Sequence, residues 1–177
     1  MSTDVRFATP DDARAIAEIH VASWHEGYRG LLTESYLKSL SADARETRWA
    51  QSLREGAAVL LAEQAGKPLG FVAYGPSRDH DAPATCAEIY ALYVHPHVWS
   101  TGKGQQLHDG ALAALAAEGS TVVALWVLSS NDRARRFYSG RGWRLDGATK
   151  VVETPEVTLP EVRYKRALEP EPTPSAR

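Results

Sequence analysis

Residues Ala87 to His95 are apolar on both faces apart from Glu88, the pattern of a strand buried between two layers. The chain then runs through Pro96-His97-Val98-Trp99-Ser100-Thr101 into Gly102-Lys103-Gly104 and a helix whose stripe is Leu107, Ala111, Ala114 and Leu115, stopping near Gly119. This stretch requires a sheet with a helix packed on it. Gly102 and Gly104 allow backbone N–H groups to turn outward with no Cβ in the way. Such N–H groups, with the helix dipole, form a pocket for phosphate, and Lys103 adds a charge there. A Gly-x-Gly turn before a helix is also an ordinary tight turn, so these residues alone leave both readings open. Two phosphate loops are excluded by spacing. A Walker loop needs GxxxxGK[ST], which the chain lacks, and a dinucleotide fingerprint needs a third glycine where Leu107 stands.

The rest of the chain supplies a β-α-α-β-β-β-α-β-α-β-β order. Asp4 to Ala8 is a strand candidate, and Thr9-Pro10-Asp11-Asp12 starts a helix with Thr9 as N-cap. Ala13, Ile16, Ala17, His20 and Trp24 repeat at helical spacing, Gly27 and Gly30 bracket the end, and a second helical region covers about Thr33 to Glu55. Ala57 to Ala62 and Leu69 to Tyr74 are strands joined by a turn, followed by a polar loop from Pro76 to Pro83. Thr121 to Leu128 is a buried strand, Asn131 to Arg141 a short helix stopped by Gly142, and two strands lie near Trp143 to Val152 and Thr158 to Ala167. The expected class is α/β with a mixed sheet and about four flanking helices. Residues 1–168 form one domain, and 169–177 a disordered Pro-rich tail.

A chain of 177 residues suits a single domain, and its net charge of −2 supplies no bulk field for nucleic acid or an anionic membrane. Cys86 is the only cysteine, so no intramolecular disulfide forms. No apolar run approaches the length of a membrane span, and a cytoplasmic protein is expected. His95 and His97 have no third ligand at a metal-site spacing, so no metal is expected. A homodimer stays open.

Several segments in this order resemble the GNAT superfamily of N-acetyltransferases over roughly Val5 to Leu168. They are Glu88-Ile-Tyr-Ala-Leu-Tyr-Val-His-Pro96, Gly102-Lys-Gly104, Ala124-Leu-Trp-Val-Leu128, Asn131-Asp-Arg-Ala134-Arg-Arg-Phe137-Tyr138 and Gly142-Trp143-Arg144. The resemblance implies a GNAT-like fold and acetyl-CoA (coenzyme A) as co-substrate. It implies that Leu92, Tyr93 and Val94 line the pantetheine, that Ser100, Thr101, Gly102, Lys103, Gly104 and Gln105 hold the pyrophosphate, and that Asn131 and Tyr138 flank the thioester. The family usually has Arg or Gln where this chain has Trp99. An Arg there is expected to tighten coenzyme A about tenfold or more; the alternative is that Trp99 stacks on the adenine or packs beneath the loop, so that replacing it loosens the site.

The activity implied is N-acetylation of a primary amine, on a small molecule or a peptide, by direct attack through a tetrahedral intermediate. An ammonium must lose a proton first, and Glu88, fourteen residues before Gly102, is the candidate base. Burial would push its carboxyl toward a useful range. Tyr138 is the candidate acid for the leaving thiolate, while Ala134, Phe137 and Tyr138 also share a core spacing. A backbone N–H near Leu92 or Val94 is the candidate oxyanion donor. Trp24, Glu26 and Tyr28 stand where the family places one wall of the acceptor pocket, with Glu26 as the charge for a cationic amine. The competing reading is a non-catalytic acyl-CoA-binding or sensory module.

Overall fold

Seven strands form one sheet in the computed structural model, which describes residues 4–168; the tail expected from Glu169 onward lies outside the described residues. The strands are β1 (Asp4–Phe7), β2 (Ala58–Gln64), β3 (Lys67–Pro76), β4 (Cys86–Val94), β5 (Val122–Leu128), β6 (Arg144–Glu153) and β7 (Thr158–Ala167), in the order β1-β2-β3-β4-β5-β7-β6. Every neighbouring pair is antiparallel except β4 and β5, which run parallel across the helical connection that the glycine turn opens.

Five α-helices pack on this sheet: α1 (Ala13–Gly27), α2 (Glu34–Ser39), α3 (Ala42–Arg54), α4 (Lys103–Ala117) and α5 (Asp132–Ser139). The extra helix arises because the region from Thr33 to Glu55 breaks at Leu40, whose ψ of 116° is extended, and restarts at Ser41, whose hydroxyl accepts from the Ala44 N–H. The first helix also starts later than the sequence suggests. Pro10–Asp12 form a 3-10 turn, and the Asp12 carboxylate accepts from the Thr9 N–H at 2.8 Å. Arg6 grips the same carboxylate through both terminal nitrogens and reaches Glu63, so one guanidinium ties β1, β2 and the helix start together.

The sheet separates two apolar layers. On one side Leu107, Ala111 and Leu115 of α4 meet Val72, Ile89, Val123 and Leu125. On the other, Ile16 and Ile19 of α1 and Leu53 of α3 meet Val59, Leu61 and Phe71. Gly70 sets how closely α4 approaches. A Cβ there would sit 3.0 Å from each of Leu107 Cδ1, Tyr93 O and Val94 Cγ2.

His20 is buried in the α1 layer, stacked on Tyr93 at 4.7 Å, with Arg45 donating toward its ring nitrogens. Burial, and then the Arg45 charge, lower its pKa from 6.5 to about 3. The folded state therefore favours the neutral ring. That stability is complete above the unfolded value of about 6.5 and declines by about 1.4 kcal/mol per pH unit as pH falls toward 3. Between pH 6.5 and 5 the expected loss from His20 is about 2 kcal/mol, and His108, also lowered by burial, acts in the same direction. Urea unfolding at pH 7 and pH 5 checks this. The drop should shrink in His20→Gln, and an equal drop in parent and variant would remove His20 as its source.

Candidate active site

β4 and β5 pair only from Cys86 opposite Val122 to Ile89 opposite Leu125. Beyond this the strands part, although β4 continues to Val94 and β5 to Leu128. The bend has a local cause. Ile89 faces Tyr74 and Ala91 faces Ala73, so Tyr90 is an extra residue in β4, a bulge that re-aims the strand. The Tyr90 hydroxyl donates to Pro76 O at 2.6 Å, fixing the bulge. Between the parted strands lies a cleft of about 290 Å³.

One end of the cleft meets the start of α4. Gly102 caps this helix at φ +86°, a conformation open to glycine, and contributes no side-chain cap. The Gly104 and Gln105 N–H groups, in the first turn, therefore have no ladder partners within the helix. Gly104 lines the cleft, and a Cβ added to it would stay 3.6 Å from Val94 Cγ2 and 3.7 Å from the Phe137 ring. Ser100, Thr101, Gly102, Lys103 and Gln105 stand around the helix start rather than in the cleft lining. Lys103 is buried, the Thr101 hydroxyl donates to Val98 O, and Gln105 accepts from Arg141.

Trp99 lies beneath this loop. Its indole N–H donates to Val94 O at 2.6 Å, and its ring edge reaches Gly27 of α1. The Ser23 hydroxyl donates to the same carbonyl at 3.0 Å, so both Val94 lone pairs are occupied. Any backbone hydrogen bond from Val94 to a ligand must then use its N–H. Arg133 stacks on Trp99, with its guanidinium carbon 3.2 Å from the ring centroid, and lines the cleft. Burial depresses its pKa. An exposed guanidinium lines the same cleft as Gly104 of the helix start.

The cleft brings together Leu92, Tyr93, Asn131 and Tyr138 with Trp24 of α1 and Tyr28, the residue that caps α1. Asn131 caps α5 by accepting from the Ala134 N–H at 3.1 Å, and its side chain lies against the Tyr28 phenol. Trp24 and Tyr28 meet edge to face at 4.7 Å. The buried Trp24 indole N–H has no partner among the described residues, although the Tyr93 phenol is beside it. Tyr138 is buried against Phe137 and Trp143. Burial, then the neighbouring Tyr93, push its phenol well above the ordinary range.

At the far end the buried carboxylate of Glu88 accepts from the Arg78 backbone N–H at 2.9 Å and from its guanidinium at 2.5 Å. Trp126, Lys150 and Glu161 complete this end. Glu26 is elsewhere: it is exposed, paired with Arg29 at 2.7 Å, and outside the cleft lining. Sequence reading did not single out Arg78, Trp126, Lys150 or Glu161 as site residues.

No cluster of three or more His, Cys, Asp or Glu able to hold a metal ion occurs among the described residues, and no helix there is long and apolar enough to cross a membrane.

Residues 14–143 match the sequence model described as "Acetyltransferase (GNAT) family". A Mycobacterium tuberculosis protein named "Probable N-acetyltransferase Rv2775" is 30% identical over 166 residues, covering 91% of each chain. An uncharacterized N-acetyltransferase of Archaeoglobus fulgidus is 32% identical over 143 residues, covering 80% of this chain and 92% of its own. The crystal structure of the PaiA N-acetyltransferase from Thermoplasma acidophilum, in complex with coenzyme A, superposes with a TM-score of 0.74 at 20% identity, covering 94% of this chain and 99% of that one.

Proposed function

The chain belongs to the GNAT family of acetyltransferases and is an acyltransferase, and from that premise we propose that it moves the acetyl group of acetyl-CoA onto a primary amine of a small molecule or peptide. The observation that carries this reading is the parting of β4 from β5 beside the uncapped start of α4. A parted parallel pair offers unpaired backbone groups along a slot, and the helix start at its end offers N–H groups to an anion. Those are the needs of a pantetheine arm and a pyrophosphate. The coenzyme A in the PaiA neighbour supports the same reading.

In this proposal Arg133 and the first turn of α4 hold the pyrophosphate, and Leu92 and the Val94 N–H meet the arm. The amine enters from the Trp126 end. Glu88, directly or through a water, takes the ammonium proton; the nitrogen lone pair then attacks the thioester carbon. The C–N bond forms, the tetrahedral intermediate collapses, and the C–S bond breaks. Tyr138 gives its proton to the leaving sulfur and is reprotonated by the second nitrogen proton, which the intermediate sheds as it collapses, so the proton taken by Glu88 is the one released per turnover. Burial raises the phenol, but it also raises the basicity of a thiolate in the same site, which keeps donor and acceptor matched.

Acetyl-CoA should stabilise the fold. At 100 times its dissociation constant the gain is about 2.7 kcal/mol, which for a domain of this size is roughly 5–11 °C in melting temperature. A melting scan at millimolar acetyl-CoA with no shift would overturn the reading. A Glu88→Gln variant should lose most activity at low pH, where the unassisted amine is protonated. A pH-independent loss would assign Glu88 to structure instead.

A further inference from the structure

The end of the cleft away from α4 carries two ion pairs on either side of one indole. Glu88, 2% exposed, pairs with Arg78, whose side chain is 64% exposed. Glu161, 22% exposed, pairs at 3.4 Å with Lys150, which is 39% exposed. The Lys150 ammonium sits 4.2 Å over the Trp126 ring, and the Trp126 N–H donates to Asp79 beside Arg78. In each pair the carboxylate is the inner partner and the cation the outer one. Arg78 directs Nε and Nη2 at Glu88, which leaves the N–H groups of Nη1 for another anion. The nearby Arg163 adds no free cation, because Asp79, Asp81 and Asp146 hold it at 2.7–3.0 Å.

Charge along the whole cleft points the same way. Arg78, Lys150 and Arg133 face Glu88 and Glu161, so the lining has no negative excess to draw in a polycation. A polyamine lodged with one amine at the thioester would press its next ammonium against Arg78 or Lys150. An acceptor with its ammonium inward and an anionic group a few ångströms behind would meet an opposite charge at both depths.

We propose that the acceptor is a zwitterion, an amine with a carboxylate within about two to four bonds, as in a free amino acid. The proposal rests on the acetyl-transfer reading and names the acceptor class of that same site. Glu88 faces the ammonium, Arg78 and Lys150 face the carboxylate, and the Trp126 ring holds the Lys150 ammonium in place from beneath. The transfer itself is the one described above: the acceptor nitrogen gains the C–N bond and loses two protons, of which one balances the proton the sulfur gains and the other is released, and the carboxylate is unchanged.

The test uses the intact protein with fixed acetyl-CoA and follows thiol release for the free amino acids, their carboxamides and methyl esters, spermidine and an aminoglycoside. Rates are compared per neutral amine, because masking the carboxylate lowers the amine's own pKa. At least one amino acid should exceed its carboxamide and ester in kcat/KM by 30-fold or more. Lys150→Met should raise KM about tenfold for that amino acid and leave KM for its ester unchanged, a split that general loss of structure does not produce. Equal kcat/KM for acid and ester, or a preference for spermidine or the aminoglycoside, overturns the zwitterion assignment while acetyl transfer stands. Thiol release with none of these amines, by protein that acetyl-CoA still stabilises, overturns both.

Discussion

Tyr138→Phe should bind acetyl-CoA as tightly as the parent and turn over about 10²–10⁴-fold more slowly. The ring contacts of Tyr138 with Phe137 and Trp143 survive the substitution, since only the hydroxyl is removed. The loss should therefore fall on kcat and not on affinity. Burial holds the phenol above its ordinary value of 10, so it keeps its proton throughout the working range and adds no alkaline limb to kcat below about pH 10. Steady-state kinetics with calorimetric titration of both proteins decides the matter. Equal kcat values would return Tyr138 to the core.

Trp99→Arg should weaken coenzyme A binding by less than about tenfold, opposite in sign to the expectation drawn from family resemblance. An arginine brought to the loop offers the pyrophosphate a charge-assisted hydrogen bond. In this chain the gain is outweighed. The substitution removes the indole donor to Val94 O, removes the ring on which Arg133 stacks, and sets two guanidinium groups side by side. At the exposed Arg133 the cation–π contact is worth about 0.5–1 kcal/mol and the hydrogen bond about 1 kcal/mol. With the repulsion of the two guanidinium groups these exceed the roughly 1.5–3 kcal/mol of the new bond, by less than the roughly 1.4 kcal/mol of a tenfold change. Arg133→Gln should also weaken binding, and its effect should shrink at high salt. Calorimetry at two salt concentrations measures both variants. Tighter binding by the Trp99→Arg protein would show that Trp99 merely fills the place of a phosphate ligand.

The segments read correctly from sequence are those whose cause is local. The glycines at 102 and 104 fix the start of α4, Asn131 announces the cap of α5, and apolar runs mark β4 and β5. The polar helical region from Thr33 to Glu55 is harder. Its break depends on the Ser41 cap, which a weak apolar stripe does not reveal. The acceptor end of the cleft is hidden for a different reason. Lys150 meets Glu161 only through the β6–β7 register, and Arg78 reaches Glu88 from a loop that carries no period. Three residues of β6 between Leu145 and Thr149 oppose a single residue of β7, and this bulge turns Asp146 toward Arg163, again a product of register. Glu26 suits an acceptor wall by lying between Trp24 and Tyr28, but at helical spacing the residue between two inward neighbours turns to solvent. Trp99 has a role set by Arg133, thirty-four residues later.

The central claim is acetyl transfer to an amine within the cleft between β4 and β5. Its most direct test is one reaction mixture of acetyl-CoA, an amine panel and the protein, read for free thiol and for acceptor mass. The account predicts thiol release that depends on both the amine and the protein, matched one for one by an acceptor gaining a single acetyl group and abolished by removing either substrate. Bound acetyl-CoA with no amine-dependent thiol and no acetylated product would contradict it.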